Sequence, residues 1–230
     1  MSLVDAVIAT GPIPDATASR AVKKSYSERL SNHLAREVAQ GLRDVGFGNV
    51  HPLREGATEK TFQGGLGPKR VDVSFSDDQN GLLLAISIKS INFPKFGKNL
   101  KNRFGDLLTE AITLHLRFPF SVVCTLFAFP VAANNDIGPK GKLSTFERAR
   151  RLFATVGGRK DYTDPGEKFE DITLMLFEPF MEPNLTPGIQ LFDAQTNRLL
   201  TEEEYFRRLL QIYNLRNPHA LIGDEENLDD

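Results

Sequence analysis

The sequence predicts an α/β fold in which helices flank a mixed central sheet. An apolar stripe at helical spacing predicts a helix over residues 26–44. Apolar segments on either side of Asn80-Gly81 predict a β-hairpin over residues 70–90. A second amphipathic segment, residues 99–117, precedes the apolar run 121–129, which predicts a helix followed by a buried strand.

The composition is that of one globular domain with additions. The chain has 230 residues, of which 40% are hydrophobic and 25% are charged. It has no apolar run long enough to span a bilayer and no signal-peptide pattern, so we expect no membrane association. Cys124 is the single cysteine, which excludes an internal disulfide and favours a cytoplasmic location.

Both ends of the chain look irregular. Residues 1–20 combine small residues with two prolines and show no apolar period, which predicts a flexible segment. Residues 218–230 are predicted to be an acidic, disordered tail. Five acidic residues in that tail take the formal net charge from about +3 to −2: Asp224, Glu225, Glu226, Asp229 and Asp230.

The first predicted helix has start and stop signals at its ends. Ser25 and Glu28 fit a capping box, and Gly46 is a natural stop. The segment 64–68 contains three glycines and a proline, which predicts a loop before the hairpin, and a short strand is expected over 58–62.

The hairpin places polar residues together. If Asn80-Gly81 forms the turn, Asp72 pairs with Lys89 and Ser74 pairs with Ser87. The two-residue period of a strand then puts Asp72, Ser87 and Lys89 on one face. Three apolar side chains take the opposite face: Leu84, Ile86 and Ile88. An acid and a lysine therefore meet at one place, which we take as the candidate site.

Residues 131–217 are predicted to form an accessory α+β region that packs on the core. A capping box at Ser144 and Glu147 opens a helix to about residue 155, and residues 172–177 read as a strand. A hairpin over 189–200 and a last helix capped by Thr201 and Glu204 complete the region.

The order of these elements resembles that of the PD-(D/E)xK nucleases, which include restriction endonucleases and Holliday-junction resolvases. A helix with an early glutamate (Glu28) precedes a strand aspartate (Asp72), a lysine on the next strand (Lys89), a helix and a strand. The resemblance covers residues 25–129 and implies a restriction-endonuclease-like αβββαβ core over residues 21–130. It also implies hydrolysis of double-stranded DNA with Mg²⁺ or Mn²⁺ as cofactor.

The match departs from the family at Ser87, which stands where the family has an acid two residues before the lysine. Asp72 would hold the metal, and a second carboxylate normally balances the ion's charge. Either the Ser87 hydroxyl serves instead, or another acid approaches, with Glu59 and Glu28 as the nearest candidates. The third alternative is a site that does not cut.

Structural interpretations of these residues stay open. Glu28 fits a helix cap as well as a metal-supporting acid. Asp72 and Lys89 fit a simple cross-strand ion pair, although aspartate is depleted in strands and costly to bury unpaired. Glu59 fits an ordinary solvated surface residue. The four histidines show no ligand spacing, which argues against zinc.

Two basic clusters follow the candidate site. The first lies at the start of the second predicted helix: Lys95, Lys98, Lys101 and Arg103. The second lies in and after the next one: Arg148, Arg151, Arg159 and Lys160. Both are predicted to contact nucleic-acid phosphates, although a solvated face would look similar.

Three functions remain open from the sequence. The one we favour is a metal-dependent DNA endonuclease of the restriction or repair type. The second is a catalytically impaired relative that binds DNA or a protein partner, and the third is an interaction protein with a structural Asp72–Lys89 pair. A homodimer is an open alternative for its assembly.

Overall fold

A computed structural model describes residues 2–55, 59–137, 142–181 and 185–223. In chain order its elements are α1 (Leu3–Thr10), α2 (Arg20–Asp44), β1 (Lys60–Gly64), β2 (Gly67–Val71), β3 (Val73–Asp77), β4 (Gly81–Ser90), α3 (Phe96–Arg117), β5 (Val122–Pro130), α4 (Thr145–Phe153), β6 (Asp171–Phe177), β7 (Ile189–Asp193), β8 (Leu199–Leu200) and α5 (Glu202–Arg216).

A six-stranded mixed sheet runs in the order β3-β4-β5-β6-β7-β8. The β3–β4 pair is antiparallel, β4, β5 and β6 are parallel to one another, and β7 and β8 return antiparallel. One apolar core lies between the sheet and α1, α2 and α5, and the other lies between the sheet and α3 and α4. The predicted α/β class, with a mixed sheet between helices, is confirmed.

The N-terminal segment differs from its prediction. Residues 3–10 form a helix with a capping box at Ser2 and Asp5, and Leu3 and Val7 are fully buried. The expectation of a flexible segment over 1–20 is wrong there, because apolar residues at helical spacing let even a short helix pack on α2. The helix α2 also begins earlier than predicted, since Ser19 accepts a hydrogen bond from the Val22 amide and caps it.

The predicted loop at 64–68 is a second hairpin. Strands β1 and β2 pair antiparallel from Lys60–Val71 to Gly64–Gly67 and form a separate two-stranded sheet. This hairpin packs on α3, where a Cβ on Gly64 would collide with Thr113. The glycines therefore permit close packing here.

The main hairpin has a different register from the predicted one. Val73 pairs with Ile86, and a bulge after Phe75 leads to a longer turn between Asp77 and Gly81. The Asp77 carboxylate accepts hydrogen bonds from backbone amides in that turn and stabilises it. The main register differs from the predicted one by two residues, so the face of each side chain is preserved.

The region 131–217 does not pack on the core as a separate unit, because its strands extend the same sheet. Strand β6 pairs with β5 along its whole length. The predicted hairpin and the Thr201–Glu204 capping box are confirmed, and Ser144 caps α4.

Part of the predicted tail, residues 224–230, lies outside the described residues. Within the described chain, no helix combines the length and the apolar character needed to cross a membrane.

Candidate active site

The site begins at a bend between two strands. Strands β2 and β3 belong to different sheets, and Asp72 lies between them. Strand β4 continues to Ser90, whereas its pairing with β3 ends at Val73. The Asp72 carboxylate accepts a hydrogen bond from the Ile88 amide at 2.6 Å. It thereby replaces the backbone partner that this amide lacks where the pairing with β3 has ended. This bond fixes the carboxylate beside the end of β4.

A cluster of four charged side chains surrounds that point. The Lys89 Nζ lies 3.2 Å from Asp72 Oδ2 and 3.5 Å from Glu110 Oε2. The Lys69 Nζ on β2 lies 2.7 Å from the same Glu110 oxygen. Ser87 completes the cluster by donating a hydrogen bond from its hydroxyl to Glu110 Oε1. We name Lys69, Asp72, Ser87, Lys89 and Glu110 the carboxylate–lysine cluster.

The predicted grouping of Asp72, Ser87 and Lys89 is supported by these contacts. Ser87 and Lys89 both reach Glu110 on α3, whereas Ile86 and Ile88 belong to the core on the α2 side. The hairpin parity therefore holds despite the change in register.

Glu110 is the site residue that sequence reasoning missed. Its side chain is fully buried, although it lies on a helix and carries a charge. A signal was present, because Leu107, Glu110, Ala111 and Leu114 follow the spacing of one helix face, and the three apolar members are buried. A charged residue inside an apolar stripe needs a buried partner, and the two lysines provide it.

The pKa values of Asp72 and Lys89 are both raised, but for different reasons. Burial raises the pKa of Asp72, the Lys89 charge opposes that rise, and nearby Glu110 adds to it. Burial disfavours the charged form of Lys89, but the carboxylates of Asp72 and Glu110 outweigh this effect and raise the pKa of Lys89. Lys89 is therefore a stable cation at neutral pH.

The cluster opens onto a cleft with a volume of about 470 Å³, which we name the main cleft. Asp72, Ile88 and Lys89 line one side, and Arg103 of α3 lines another. Polar residues of α2 at helical spacing form the facing wall: Lys24, Ser27, Glu28, Ser31 and Asn32. The same helix buries its apolar stripe on the opposite side.

The two other predicted acids also reach the main cleft. Glu28 is 60% exposed and lies 3.4 Å from Lys24, well inside α2, so its capping interpretation is wrong. Glu59 lies 3.6 Å from Arg70 and is partly exposed. The cleft thus brings together Glu28, Glu59, Asp72 and Lys89, whereas the neighbour of Ser87 is Glu110.

Arg103 lines this cleft, and five more of the predicted basic residues lie on or just before α3 and on α4. Lys95, Lys98, Lys101 and Arg103 are exposed on and before the first turns of α3. Arg148 of α4 extends its guanidinium over Gly97, where a side chain would have no room. Arg148 and Arg151 are exposed neighbours on α4. Basic residues from two helices therefore share one side of the molecule.

Arg159 and Lys160 lie elsewhere, and the burial of Arg159 corrects its assignment to the DNA-binding surface. The Arg159 guanidinium is buried, 2.7 Å from Glu170 Oε1, and it also donates to the Pro119 carbonyl. These contacts lie where β5 and β6 begin, whereas Lys89 lies where β4 ends. Lys160 is exposed, but it follows Arg159 at this opposite end of the parallel strands.

The donors at the site are hard oxygen ligands. Asp72 offers a carboxylate on the wall of the main cleft, and the fully buried Glu110 carboxylate lies behind it. Glu110 Oε2 has no hydrogen-bond partner, although both lysines approach it. Mg²⁺ often uses one or two protein carboxylates and fills its other positions with water and phosphate oxygens. In the described ranges, no group of three or more His, Cys, Asp or Glu is placed to hold a metal. A metal ion here would have the carboxylates of Asp72 and Glu110 as ligands, in competition with the ammonium groups of Lys69 and Lys89.

Comparisons of this chain with protein-family models, with curated proteins and with solved structures gave no match.

Proposed function

We propose that this protein is a metal-dependent DNA endonuclease whose active site is the carboxylate–lysine cluster. The observation that carries the proposal is that Asp72 and Lys89 line the main cleft while the buried Glu110 carboxylate lies behind them, 3.5 Å from Lys89 Nζ. A restriction-endonuclease-like core is part of the proposal. It draws support from the order helix, hairpin, helix and strand, and from the site's position at the end of β4.

In this proposal, Glu110 supplies the second carboxylate that Ser87 lacks. Asp72 and Glu110 come from different elements, yet both approach the same Lys89 ammonium group. Together they would hold Mg²⁺ or Mn²⁺, which when bound supplies an activated water and neutralises phosphate charge. Glu59 and Glu28 would assist from the cleft walls.

Lys89 has the role of the electrostatic catalyst. Its ammonium group is protonated at neutral pH, is four-fifths buried and is oriented by two carboxylates. A preorganised cation in a site of low exposure stabilises the negative charge that develops on a phosphoryl group. The Ser87 hydroxyl acts indirectly, because it positions Glu110 by a hydrogen bond.

The basic residues around α3 would bind the DNA backbone. Arg103 lines the cleft, Lys98 and Lys101 are exposed on the same helix, and α3 has no side-chain cap at its N-terminus. Free backbone amides at a helix start favour phosphate. Double-stranded DNA is the substrate class proposed for this surface. Phosphate contacts alone are independent of sequence, so this surface implies no particular recognition sequence.

The test is a cleavage assay on linear, supercoiled and branched DNA with Mg²⁺ or Mn²⁺, with EDTA as the metal-free control. We expect metal-dependent cleavage that Lys89→Ala and Asp72→Ala each abolish while circular dichroism shows an intact fold. Cleavage that persists in both variants would place the chemistry elsewhere.

A second function, DNA binding without cleavage, is favoured by the balance of charge in the cluster. Two lysines and two carboxylates neutralise one another there. An ion therefore competes with ammonium groups that already occupy the carboxylates. Absence of cleavage with every DNA form and both metals, with salt-dependent DNA binding retained, would favour this second function.

A further inference from the structure

A second basin lies beside the main cleft and shares Ser27, Ser90 and Arg103 with it. Its volume is about 520 Å³, which lies in the range of small-molecule binding sites. The basin lies between α2, the end of β4 and the first turns of α3. A ligand group bound there would be a direct neighbour of a phosphate held at Lys89.

The buried base of this basin has unused hydrogen-bonding capacity. Asn92 is 4% exposed and lines the basin. Its amide nitrogen donates to the hydroxyls of Ser27 and Ser90, each at 2.9 Å, while its Oδ1 has no hydrogen-bond partner. The Ser27 hydroxyl donates its proton to the Lys23 carbonyl, so it can only accept from Asn92, and this fixes the orientation of the amide. The Asn92 Oδ1 therefore stays unpaired, which is costly unless a ligand group bonds to it.

An aromatic ring forms part of the basin wall. Phe93 is half-buried and is held edge-on by Tyr26, with ring centroids 5.9 Å apart. Lys23 Nζ lies 5.7 Å from the centroid of the Phe93 ring. Because this ammonium group lies over one face of the ring, a planar heterocycle would stack on the other face.

The rim of the basin carries side-chain amides. Asn99 and Asn102 are exposed on α3, and Arg103 follows them with its guanidinium 3.5 Å from Asp106. Asparagine donates and accepts in the pattern of a base edge, and arginine pairs with phosphate or guanine. An aromatic ring, amides and an arginine are the groups that recognise a nucleobase together with its phosphate.

We infer that the second basin binds one unpaired nucleobase adjacent to the phosphate held at the carboxylate–lysine cluster. A base in a regular duplex has both faces stacked and its pairing edge in use, so it cannot enter a pocket unless it leaves the stack. The substrate class is therefore DNA with an unpaired or single-stranded nucleotide at the cleavage position. The cleavage part of this inference rests on the proposed function, whereas the base-binding part stands on the basin itself.

The test measures binding in EDTA, where no cleavage occurs. Two duplexes of equal length carry the fluorescent adenine analogue 2-aminopurine, which is unpaired in one duplex and paired in the other. We expect about tenfold tighter binding of the unpaired form, from the stacking energy of one base, and an increase in its fluorescence as it leaves its stacked neighbours. Equal affinities without a fluorescence increase, or no binding of either duplex, would overturn the inference.

Variants separate the basin from the rest of the surface. Asn102→Ala and Phe93→Leu should each remove most of the preference, whereas Gln211→Ala, an exposed amide on α5, should keep it. Asn102 is exposed, so its variant tests the basin even if Phe93→Leu fails to fold. A preference that survives Asn102→Ala would overturn the assignment.

The two proposals fail in different ways. Asp72→Asn should keep the preference for the unpaired base, because it alters the chemistry and not the basin. Metal-dependent cleavage without the preference would refute the basin and keep the nuclease. The preference without cleavage would refute the nuclease and keep the basin.

Discussion

Ser87 and Glu110 are 23 residues apart in the chain, and the Ser87 hydroxyl donates a hydrogen bond to the Glu110 carboxylate. On β4, Ser87 stands where the sequence resemblance leads us to expect an acid. The hydrogen bond brings Glu110, an acid from α3, next to that position. The carboxylate still approaches Lys89, at 3.5 Å, but it arrives from another element. The charge that a metal site requires is thus present although the local sequence motif is incomplete.

Removal of the Glu110 side chain should be severely destabilising. Glu110→Ala leaves Lys69 without its carboxylate and Lys89 with one carboxylate in place of two, which we expect to cost about 3–5 kcal/mol of unfolding free energy. Urea denaturation measures it. The matched control is Glu147→Ala, a more exposed helical glutamate that pairs with Arg150 and should cost less than about 1 kcal/mol. Similar losses in both variants would show that Glu110 has no special electrostatic role.

Ser87→Glu should not restore a family-like site by itself. Ser87 is 1% exposed and contacts Glu110, so a longer carboxylate would overpack the core and face a like charge. Overpacking alone costs about 1–3 kcal/mol. The exchange Ser87→Glu with Glu110→Ser should recover stability and Mn²⁺ binding relative to either single variant. A double-mutant cycle by urea denaturation and calorimetry measures the coupling, and strict additivity would argue against a shared carboxylate position.

The sequence predicted the fold class because its strongest patterns are local. The stripe of α2 and the apolar run of β5 each follow a period that tertiary contacts preserve. The sequence does not predict the β1–β2 hairpin, because a glycine indicates either a turn or a close approach of two backbone segments, and the pattern is the same for both. It does not predict the helix α1 either, because the two prolines that follow this helix indicate irregular structure over residues 1–20.

The site was predictable in part for the same reason. Asp72 and Lys89 are linked by one hairpin, so strand parity places them together even when the register changes by two residues. Glu110 lies on α3, the helix that connects β4 to the parallel strand β5. Which residues its carboxylate contacts depends on how α3 is rotated against the sheet. Arg159 shows the opposite error. Its charge suggests a place on the surface, but its ion pair with Glu170 lets the side chain be buried.

The raised pKa of Asp72 predicts a pH dependence of stability. A carboxyl whose pKa is higher in the folded state than its ordinary 3.8 binds protons more readily when folded. Its contribution to the unfolding free energy is therefore largest at acidic pH and falls as the pH rises from about 3.8 through the folded-state value. Asp72→Asn lacks this contribution.

Urea denaturation of wild type and Asp72→Asn across the acidic range tests that sign. The difference in unfolding free energy, wild type minus variant, should decrease with rising pH and then become constant toward neutrality. A difference that increases with pH would mean that the ion pair with Lys89 dominates over burial.

The basic surface at α3 predicts a salt dependence of DNA binding. Replacement of Lys98, Lys101 and Arg103 by alanine should weaken binding and lower the log–log salt slope by roughly one unit for each lost phosphate contact. Lys101→Ala and Lys160→Ala form a matched pair, since both lysines are exposed but Lys160 lies at the opposite end of the parallel strands. Fluorescence anisotropy at several salt concentrations measures both slopes. Equal reductions for the two lysines would contradict a single DNA-binding side.

Arg159 should contribute to stability and not to DNA binding. Its guanidinium donates to Glu170 at 2.7 Å, and Glu170 in turn accepts from the Val123 amide at the start of β5. Arg159→Ala would leave a fully buried carboxylate with weaker partners, namely Arg216 at 3.6 Å and His115 at 3.4 Å. We therefore expect a loss of about 3 kcal/mol or more in unfolding free energy.

The neighbouring Lys160 provides the comparison for Arg159, because it differs by one position and is exposed. Lys160→Ala should change the unfolding free energy by less than about 0.5 kcal/mol. Arg159→Lys, which retains a charge but loses the forked contacts to Glu170 and the Pro119 carbonyl, should be intermediate in stability. The salt slope of DNA binding should equal that of wild type in every variant that folds. An Arg159→Ala protein with normal stability and a reduced salt slope would instead place Arg159 on the DNA.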